Sequence, residues 1–511
     1  MPLTENTIGI HNIKTTIGWL LSLTLLGSVA ANASAESPTN QELFEMYKAV
    51  SAKLAALEAQ IAERSAVADS ETENSTESKT KNATEAPSSD LIGSNGTYSF
   101  KVLDHSRDTN TKQLIQLQAL RDDGLKQKVT FGGQITALVN YQKSNSDTKF
   151  GWLMRHPTSS NQIGKTVSEA VIHSSNLNLT ARLTDNLTGY AELLYNPEQN
   201  FASGSSITGL PRNNVNMRRA YLMYGNLNKS NLYASVGKMD IPFGLNDTVS
   251  PFTNSTNWHS FAGLAYGGLV GYTTDKLHLR AMAIQGGAQF RNANTPVKDT
   301  NVPSLLNNFA LDANYTFALE NNASLLAGAS YQYGTSYCQE YVVKHFNACN
   351  DNVDAASIYA RYQNDRLTLL SEFAETLAVW PGTANPNFPA YAEFDPVKNF
   401  TWTVGASYAS DFGFKQNVDL SLEFSQFKAG AKGSPWEKQD QLVLGASYMP
   451  KSNVKYFAEM VHVAGWVPLN FLSGGHMDPT NAQPEVPFLH ESWSEQDAKT
   501  DVIVIGVQAA F

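Results

Sequence analysis

The fold is decided by one stretch of the sequence, Asp501-Val502-Ile503-Val504-Ile505-Gly506-Val507-Gln508-Ala509-Ala510-Phe511. In an extended chain, successive side chains point to opposite faces, so the odd-numbered residues from Ile503 to Phe511 share one face. All five of these side chains are apolar: they are isoleucine, valine, alanine and phenylalanine. The pattern predicts a β-strand that presents one apolar face along nearly its whole length.

Segments of the same texture recur from Val129 onward. Each is roughly ten residues long and alternates between apolar and polar side chains, as the strands of a transmembrane barrel do. About sixteen can be drawn, an even number as bacterial barrels require. They are 129–141, 169–183, 187–196, 214–225, 231–239, 262–274, 276–286, 306–318, 323–333, 353–363, 366–377, 399–411, 416–428, 438–449, 453–464 and 500–511. The last strand, with its terminal Phe511, resembles the closing-strand signal of outer-membrane proteins, which implies the barrel-assembly machinery as a partner.

The connections between these segments alternate between short and long. Thr184-Asp185-Asn186 and Asn364-Asp365 are tight turns of turn-forming residues, whereas 142–168 and 465–499 are long. Short periplasmic turns that alternate with long external loops are typical of outer-membrane barrels. The sequence therefore predicts an all-β fold: a transmembrane antiparallel β-barrel over 129–511, in the lipid of a bacterial outer membrane, with its external loops exposed.

The residues ahead of the barrel divide into three parts. Residues 1–35 predict a cleaved signal peptide, because a short apolar run is followed by small residues that end in an A-x-A site. Heptad-spaced apolar residues predict a short N-terminal coiled-coil helix over 36–64. Residues 65–128 are expected to form a linker and a periplasmic segment, in which three leucines within 114–120 have helical spacing.

The composition argues against several classes of protein. The net charge of −10 at pH 7 argues against nucleic-acid binding, and the charged fraction of 16% is low for a soluble enzyme. Catalytic and metal-binding motifs are missing from the sequence, so we expect no enzyme, no cofactor and no metal site. The two cysteines, Cys338 and Cys349, lie in one predicted external loop. They predict a disulfide in an exported protein, with two free thiols as the alternative.

Strand alternation predicts that charged side chains face the lumen, and these include three arginines and the glutamates Glu372, Glu423 and Glu459. Alternation within the strands places Arg219, Arg280 and Arg361 inward, because an arginine that faces lipid at mid-depth costs about 2–4 kcal/mol. Without a β-bulge only one arginine of the pair Arg218-Arg219 can face inward, and the pattern favours Arg219. These inward arginines either contact a ligand or pair with acidic neighbours and shape the channel.

The predicted external loops supply further candidate ligand-binding residues. The candidate ligand-binding residues in these loops are Arg155, Trp258 and Arg291. Aromatic faces and cations together suit a polycarboxylate or a ferric chelate. The alternative is that loop tryptophans form an aromatic girdle at the membrane surface and that loop cations are solvated.

Several stretches carry a resemblance to known proteins. Arg218–Leu222 and Gly237–Gly244 resemble porin-type barrels broadly. Four others resemble the LbtU family of siderophore porins: Phe150-Gly151-Trp152-Leu153-Met154-Arg155-His156-Pro157-Thr158, Ile284-Gln285-Gly286-Gly287-Ala288-Gln289-Phe290-Arg291, Gly433-Ser434-Pro435-Trp436-Glu437 and Val467-Pro468-Leu469-Asn470-Phe471-Leu472-Ser473-Gly474-Gly475.

The resemblance implies uptake of a ferric siderophore through a barrel that lacks a plug domain. Residues 36–128 hold little apolar material, which is consistent with the absence of a plug. Other small anionic solutes are alternative ligands, and the coiled coil would suit a homo-oligomer. Two other functions stay open: a general or anion-preferring diffusion porin, and a structural or adhesive surface barrel.

Overall fold

The computed structural model describes residues 91–147, 149–154, 164–195, 215–285, 305–335, 337, 353–384, 394–414, 416–467 and 494–511. Several sequence predictions concern residues outside these ranges: the signal peptide over 1–35, the coiled coil over 36–64, Arg155, Arg291, Cys338 and Cys349. They stay predictions.

Sixteen antiparallel strands close into a barrel. Each strand pairs with its neighbours in the chain, and β17 pairs with β2. A two-residue strand, β1 (Ile92–Gly93), adds to the start of β2 in parallel. The barrel strands are β2 (Val129–Ser144), β3 (Thr166–Arg182), β4 (Leu187–Tyr195), β5 (Val215–Gly225), β6 (Leu232–Asp240), β7 (Leu264–Thr273), β8 (Leu277–Gln285), β9 (Leu306–Ala318), β10 (Ser324–Tyr333), β11 (Ala355–Gln363), β12 (Leu367–Thr376), β13 (Phe400–Ser410), β14 (Val418–Lys428), β15 (Lys438–Lys451), β16 (Val454–Trp466) and β17 (Glu495–Ala510).

The predicted barrel is confirmed, and each predicted segment contains one of these strands or most of it. The largest difference is at the closing pair, where β17 begins at Glu495 instead of residue 500 and β2 continues to Ser144. The extra residues are mostly polar. In β2, Lys143 and Ser144 lie opposite Asp501 and Thr500, and in β17, Lys499 lies opposite Ala464 of β16. Apolar alternation fades there, so the sequence pattern gave no sign of the extension.

The two ends of the barrel differ in their connections. We call the end that carries the short turns and the ends of the barrel chain, Val129 and Phe511, the turn end, and the opposite end the loop end. The turn from β9 to β10 shows why the turns can be tight: Asn321 and Asn322 have φ of 57° and 56°, the left-handed conformation of hairpin turns that asparagine tolerates.

The two faces of the wall have opposite chemistry. Val139 and Ile505, which pair across β2 and β17, are 59% and 61% exposed, whereas the adjacent pair Asn140 and Val504 is buried. An outward apolar surface of this extent is unfavourable in water and suits the hydrocarbon of a membrane. Among the described residues, no helix is long and apolar enough to span a membrane.

Two segments of the chain lie inside the barrel. The first, which we call the luminal segment, is residues 94–125 and contains helices α1 (Gly96–Leu103) and α2 (Lys112–Arg121). The second, the inward loop, is residues 241–263 between β6 and β7 and contains α3 (Thr256–Phe261). The Asn95 side chain caps α1 by accepting from the Tyr98 N–H at 3.0 Å.

The luminal segment corrects two expectations. Residues 65–128 were expected to be a linker and periplasmic segment, and the lumen was expected to lack a plug. Residues 94–125 instead pack against the inner wall, and the leucines within 114–120 do lie in a helix, α2. The physical reason is that its few apolar side chains, among them Val102, Leu103 and Leu117, are buried against apolar groups of the wall and the inward loop, and polar contacts add to this packing. A low apolar content was therefore a poor guide to whether the segment folds inside the barrel.

Candidate functional site: the lumen of the barrel

The inward loop begins where β6 ends, within the stretch Gly237–Gly244. Asp240 accepts two hydrogen bonds from the Arg219 guanidinium on β5, which fixes the start of the loop. Gly244 then has a φ of 68°, and a Cβ at this position would collide with the Glu372 carboxylate. Glycine is therefore required where the backbone turns toward the wall.

Three wall glutamates hold the inward loop by its backbone. Glu372 on β12 accepts from the N–H groups of Leu245 and Asn246, both at 2.8 Å. Glu423 on β14 accepts from the Val249 N–H at 2.9 Å.

The third glutamate, Glu459 on β16, accepts from the N–H groups of Phe252 and Thr253 at 2.7 and 3.0 Å. Each of the three glutamates is the sixth residue of its strand, counted from the turn end. They stand on alternate strands and bind the loop at intervals of three to four residues. The sequence predicted that they face inward, which is confirmed, but gave no sign of what they bind.

The luminal segment makes contacts with several sectors of the wall. Tyr98 on α1 shares a hydrogen bond of 2.9 Å with Thr180 on β3. On α2, the Gln116 side-chain amide donates to Thr188 on β4 at 2.8 Å and accepts from Tyr221 on β5 at 3.0 Å. These partners are uncharged, unlike the glutamates that hold the inward loop.

A buried lysine joins the two helices of the luminal segment. The Lys112 ammonium donates to the backbone carbonyls of Lys101, Asp104 and Arg107 at 3.2, 2.6 and 3.3 Å. Burial and the nearby Arg219 charge lower the pKa of Lys112. Its three carbonyl partners satisfy the donors of an ammonium group, so the turn between α1 and α2 is folded around this side chain.

The sequence-predicted inward arginines do face the lumen, and acidic partners surround them. Arg219 pairs with Asp240 and with Glu192, whose Oε2 lies 2.7 Å from Nη1. Arg280 pairs with Asp312 at 2.7 Å and donates to the backbone carbonyl of Asn110 in the luminal segment at 2.6 Å. That these arginines contact a ligand stays a prediction. In the structure they pair with acidic neighbours, as the alternative interpretation expected.

The third inward arginine joins three elements. Arg361 on β11 donates to Asp247 of the inward loop at 2.9 Å and lies 3.8 Å from Asp108 of the luminal segment. Asp247 also accepts from the Thr109 N–H at 3.1 Å. Sequence reasoning missed Asp108 and Asp247, because neither lies in a strand whose alternation would show its direction.

A β-bulge changes the interpretation of the arginine pair. The register of β4 against β5 shifts between Glu192 and Leu193, which pair with Arg219 and Met217 and leave Arg218 as the extra residue. Arg218 lies 3.9 Å from Glu192 and only 10% of its side chain is exposed. Both arginines therefore share the same carboxylate, which the sequence allowed only with a bulge.

Of the remaining predicted residues, Trp258 lies in the described part of the chain. It belongs to α3 in the inward loop, where it is 5% exposed and packs edge-on against His259 at 4.9 Å. It is not at the mouth of an external loop. Phe511 pairs with Gly133 of β2 through two backbone hydrogen bonds, and its role in assembly stays a prediction.

Among the described residues, two neighbouring cavities lie at the turn end between the luminal segment and the wall. The larger, of about 490 Å³, lies beside α2 and is lined by residues that include Thr111, Lys276, Arg280, Tyr359, Arg361 and Asp108. The smaller, of about 140 Å³, is lined by residues that include Arg107, Asp108, Asp247, Thr248, Arg361 and Gln363. Asp108 and Arg361 line both. Within the described ranges, no group of three or more histidine, cysteine or acidic side chains is placed to hold a metal ion.

Comparison with known proteins returns solved barrels of low similarity. The outer-membrane channel DcaP of Acinetobacter baumannii is 14% identical over 75% of this chain and 97% of its own, with a TM-score of 0.45. Pseudomonas putida OprB is 8% identical over 77% and 97%, with a TM-score of 0.46. Salmonella typhi OmpF, in a complex with daunomycin, is 14% identical over 75% and 97%, with a TM-score of 0.42. No protein-family model matches the sequence, and no curated protein does.

Proposed function

We propose that this protein is a bacterial outer-membrane channel for solute uptake and that the luminal segment closes it at rest. The observation that carries the proposal is the position of residues 94–125 inside a barrel whose outer face is apolar and whose lumen is polar. The luminal segment contacts β3, β4, β5, β8 and β11, and the inward loop bonds to β12, β14 and β16. Together the two segments bond to eight of the sixteen strands around the wall.

The inward loop and the luminal segment have different parts in this proposal. The inward loop narrows the lumen permanently, because charged acceptors bind its backbone. The luminal segment is the removable part, because only its C-terminal side continues into a barrel strand, whereas the inward loop continues into strands on both sides. Its bonds to the wall come from hydroxyl and amide groups and from Arg280 and Arg361. Its displacement toward the turn end, which we place on the periplasmic side, would open the channel.

The solute that we propose is a ferric siderophore, following the resemblance to siderophore porins. Uptake of a large anionic chelate requires a wide passage, and removal of the luminal segment would provide one. A general diffusion porin is the competing function, and it would conduct small ions without saturable uptake. A surface adhesin would show neither ion conductance nor saturable uptake.

A reversible cross-link tests the closure. Thr97 on α1 and Ser452 in the turn from β15 to β16 have hydroxyl oxygens 2.7 Å apart, a separation that suits a disulfide between cysteines at these positions. The free segment closes the channel at rest but leaves the lumen from time to time, whereas the cross-linked segment stays in place. We therefore expect the double variant T97C/S452C in planar bilayers to open rarely when oxidised and to be open at least about 10-fold more of the time after reduction. The single variant T97C and the wild type, given the same reductant, are the controls for the native cysteines.

Two outcomes would contradict the closure: equal conductance of the oxidised and reduced double variant, or no channel activity in either state. Uptake of ferric siderophore by iron-starved cells that carry the same variants then tests the solute. Saturable uptake that depends on reduction supports the siderophore. Ion conductance without saturable uptake identifies the diffusion porin instead.

A further inference from the structure

The luminal segment and the inward loop meet through backbone and side-chain hydrogen bonds, such as the one from the Thr248 N–H to the Ser106 carbonyl at 2.9 Å and the one between His105 and the Phe252 carbonyl at 2.9 Å. One ionic junction lies among these contacts. Arg361, on the wall, lies 2.9 Å from Asp247 and 3.8 Å from Asp108. Asp247 completes the junction by accepting from both the N–H and the hydroxyl of Thr109, at 3.1 and 3.3 Å. One carboxylate thus links the wall, the inward loop and the luminal segment.

The junction stands between the two turn-end cavities. Both cavities are lined by Arg361 and Asp108, the larger beside α2 and the smaller beside the inward loop. Asp108 and Arg361 therefore border both spaces. Asp108 has a φ of 50°, a left-handed conformation that aspartate tolerates better than most residues.

The charges at the junction do not balance. Two carboxylates, Asp108 and Asp247, face one guanidinium, Arg361. The other charged groups near Asp247 are Arg107 from the luminal segment, which lines the smaller cavity, and Glu372 from β12, whose carboxylate interacts with that of Asp247. The Asp247 side chain is buried and half of the Asp108 side chain is exposed, so burial and the nearby Asp108 charge both disfavour the ionised form of Asp247.

We propose that Asp108, Asp247 and Arg361 form a latch that keeps the luminal segment in the lumen, and that acidification tightens this latch. The inference rests on the proposed closure of the channel by the luminal segment and adds its regulation. It predicts a channel that closes more firmly in acid and opens more readily toward neutral pH.

The sign of the pH effect follows from the direction of the pKa shift. Burial, together with the Asp108 charge, raises the pKa of Asp247 from 3.8 to about 6 in the latched state. Release of the segment removes Asp108 and exposes Asp247 to water, which returns the pKa toward its ordinary value. The latched state therefore binds the proton more tightly. Its added stability is complete below about pH 4 and is lost as the pH rises through about 6.

A cysteine reporter in the luminal segment tests the latch independently of conductance. Gln113 on α2 is 3% exposed, and its side-chain amide nitrogen has no hydrogen-bond partner in the described structure, so Q113C disturbs little. Maleimide labels it only when the segment leaves the lumen. The rate is divided by that of K229C, an exposed turn cysteine, to remove the pH dependence of the thiol itself. Labelling of the wild type measures the background from the native cysteines.

We expect the normalised labelling rate of Q113C in proteoliposomes to fall at least about 10-fold from pH 7.5 to pH 4.5, within the roughly 100-fold limit that two pKa units set. Adding D247N, which mimics the protonated acid, should give slow labelling at both pH values. Adding D365N, an exposed turn acid near Arg361 in sequence, should leave the fall unchanged. Adding R361Q removes the cation and should speed labelling at pH 7.5 while the fall with acid persists.

Labelling that rises in acid, or that is the same with and without D247N at both pH values, would overturn the latch. Heat-modifiable mobility checks that each variant is folded, and R361Q keeps the test decisive if D247N does not assemble. A latch that behaves as expected while the T97C/S452C cross-link leaves conductance unchanged would reject the proposed function and keep the latch. Conductance that depends on the cross-link, together with labelling that D247N does not change, would reject the latch and keep the proposed function.

Discussion

The inward loop and the luminal segment share one lumen, but the wall holds them by different means. The loop continues into β6 and β7, and three glutamates on β12, β14 and β16 accept its backbone N–H groups. The luminal segment meets the wall through hydroxyl and amide groups, through Arg280 and through buried apolar side chains such as Leu117, and it is packed around its own Lys112. Hydrogen bonds to charged groups contribute about 1.5–3 kcal/mol each, roughly twice the neutral value. The same barrel can therefore contain a fixed constriction and a removable one.

The largest effect is expected when one of the three wall glutamates that hold the inward loop is removed. Glu459→Ala leaves the buried N–H groups of Phe252 and Thr253 without their acceptor, which we expect to lower the stability of the folded barrel by about 3–5 kcal/mol. The measurement is the urea midpoint of heat-modifiable mobility in detergent. Glu320→Ala, in an exposed turn, should leave it unchanged. A midpoint equal to that of the wild type would show that the loop does not depend on this carboxylate.

A lysine substitution should loosen the luminal segment alone. Lys112→Met strands three carbonyls around an apolar side chain, and we expect a loss of about 2–3 kcal/mol in the local stability of residues 94–125. Hydrogen exchange of this segment should speed up, while exchange within 241–263 stays slow. Lys101→Met, an exposed lysine on α1, is the matched control. Equal acceleration in both segments would mean that they are one cooperative unit.

The smallest expected effect comes from the cap of α1. Asn95→Ala removes the bond to the Tyr98 N–H and a second one to the Gly124 carbonyl, at a cost of about 1 kcal/mol. Hydrogen exchange at the first turn of α1 should become faster by roughly fivefold. Asn228→Ala in an exposed turn serves as the control. No change at α1 would show that packing of Tyr98 against the wall suffices to fix this helix end.

The wall could be predicted from the sequence because lipid outside and polar groups inside impose a two-residue period on every strand. That period also placed Arg219, Arg280 and Arg361 correctly. The same period gives no information about segments outside the strands or about irregular pairing between them. The luminal segment folds through polar contacts with distant strands, and the bulge at Arg218 depends on the register of β4 against β5, which a single strand does not encode.

The mechanics of the barrel follow from where the inward loop is tied. Its bonds reach Ser330 on β10 and the three glutamates on β12, β14 and β16, so the loop acts as an internal strut along that arc of the wall. A braced arc resists a change of curvature. Along the arc from β17 through β2 to β9, the middle of the loop makes packing contacts through Phe252, which lies edge-on against His173 of β3 at 4.9 Å, in place of bonds to wall carboxylates. Any widening of the barrel to pass a bulky solute would therefore be taken up mainly by this less strongly tied arc, and the cross-section would become oval.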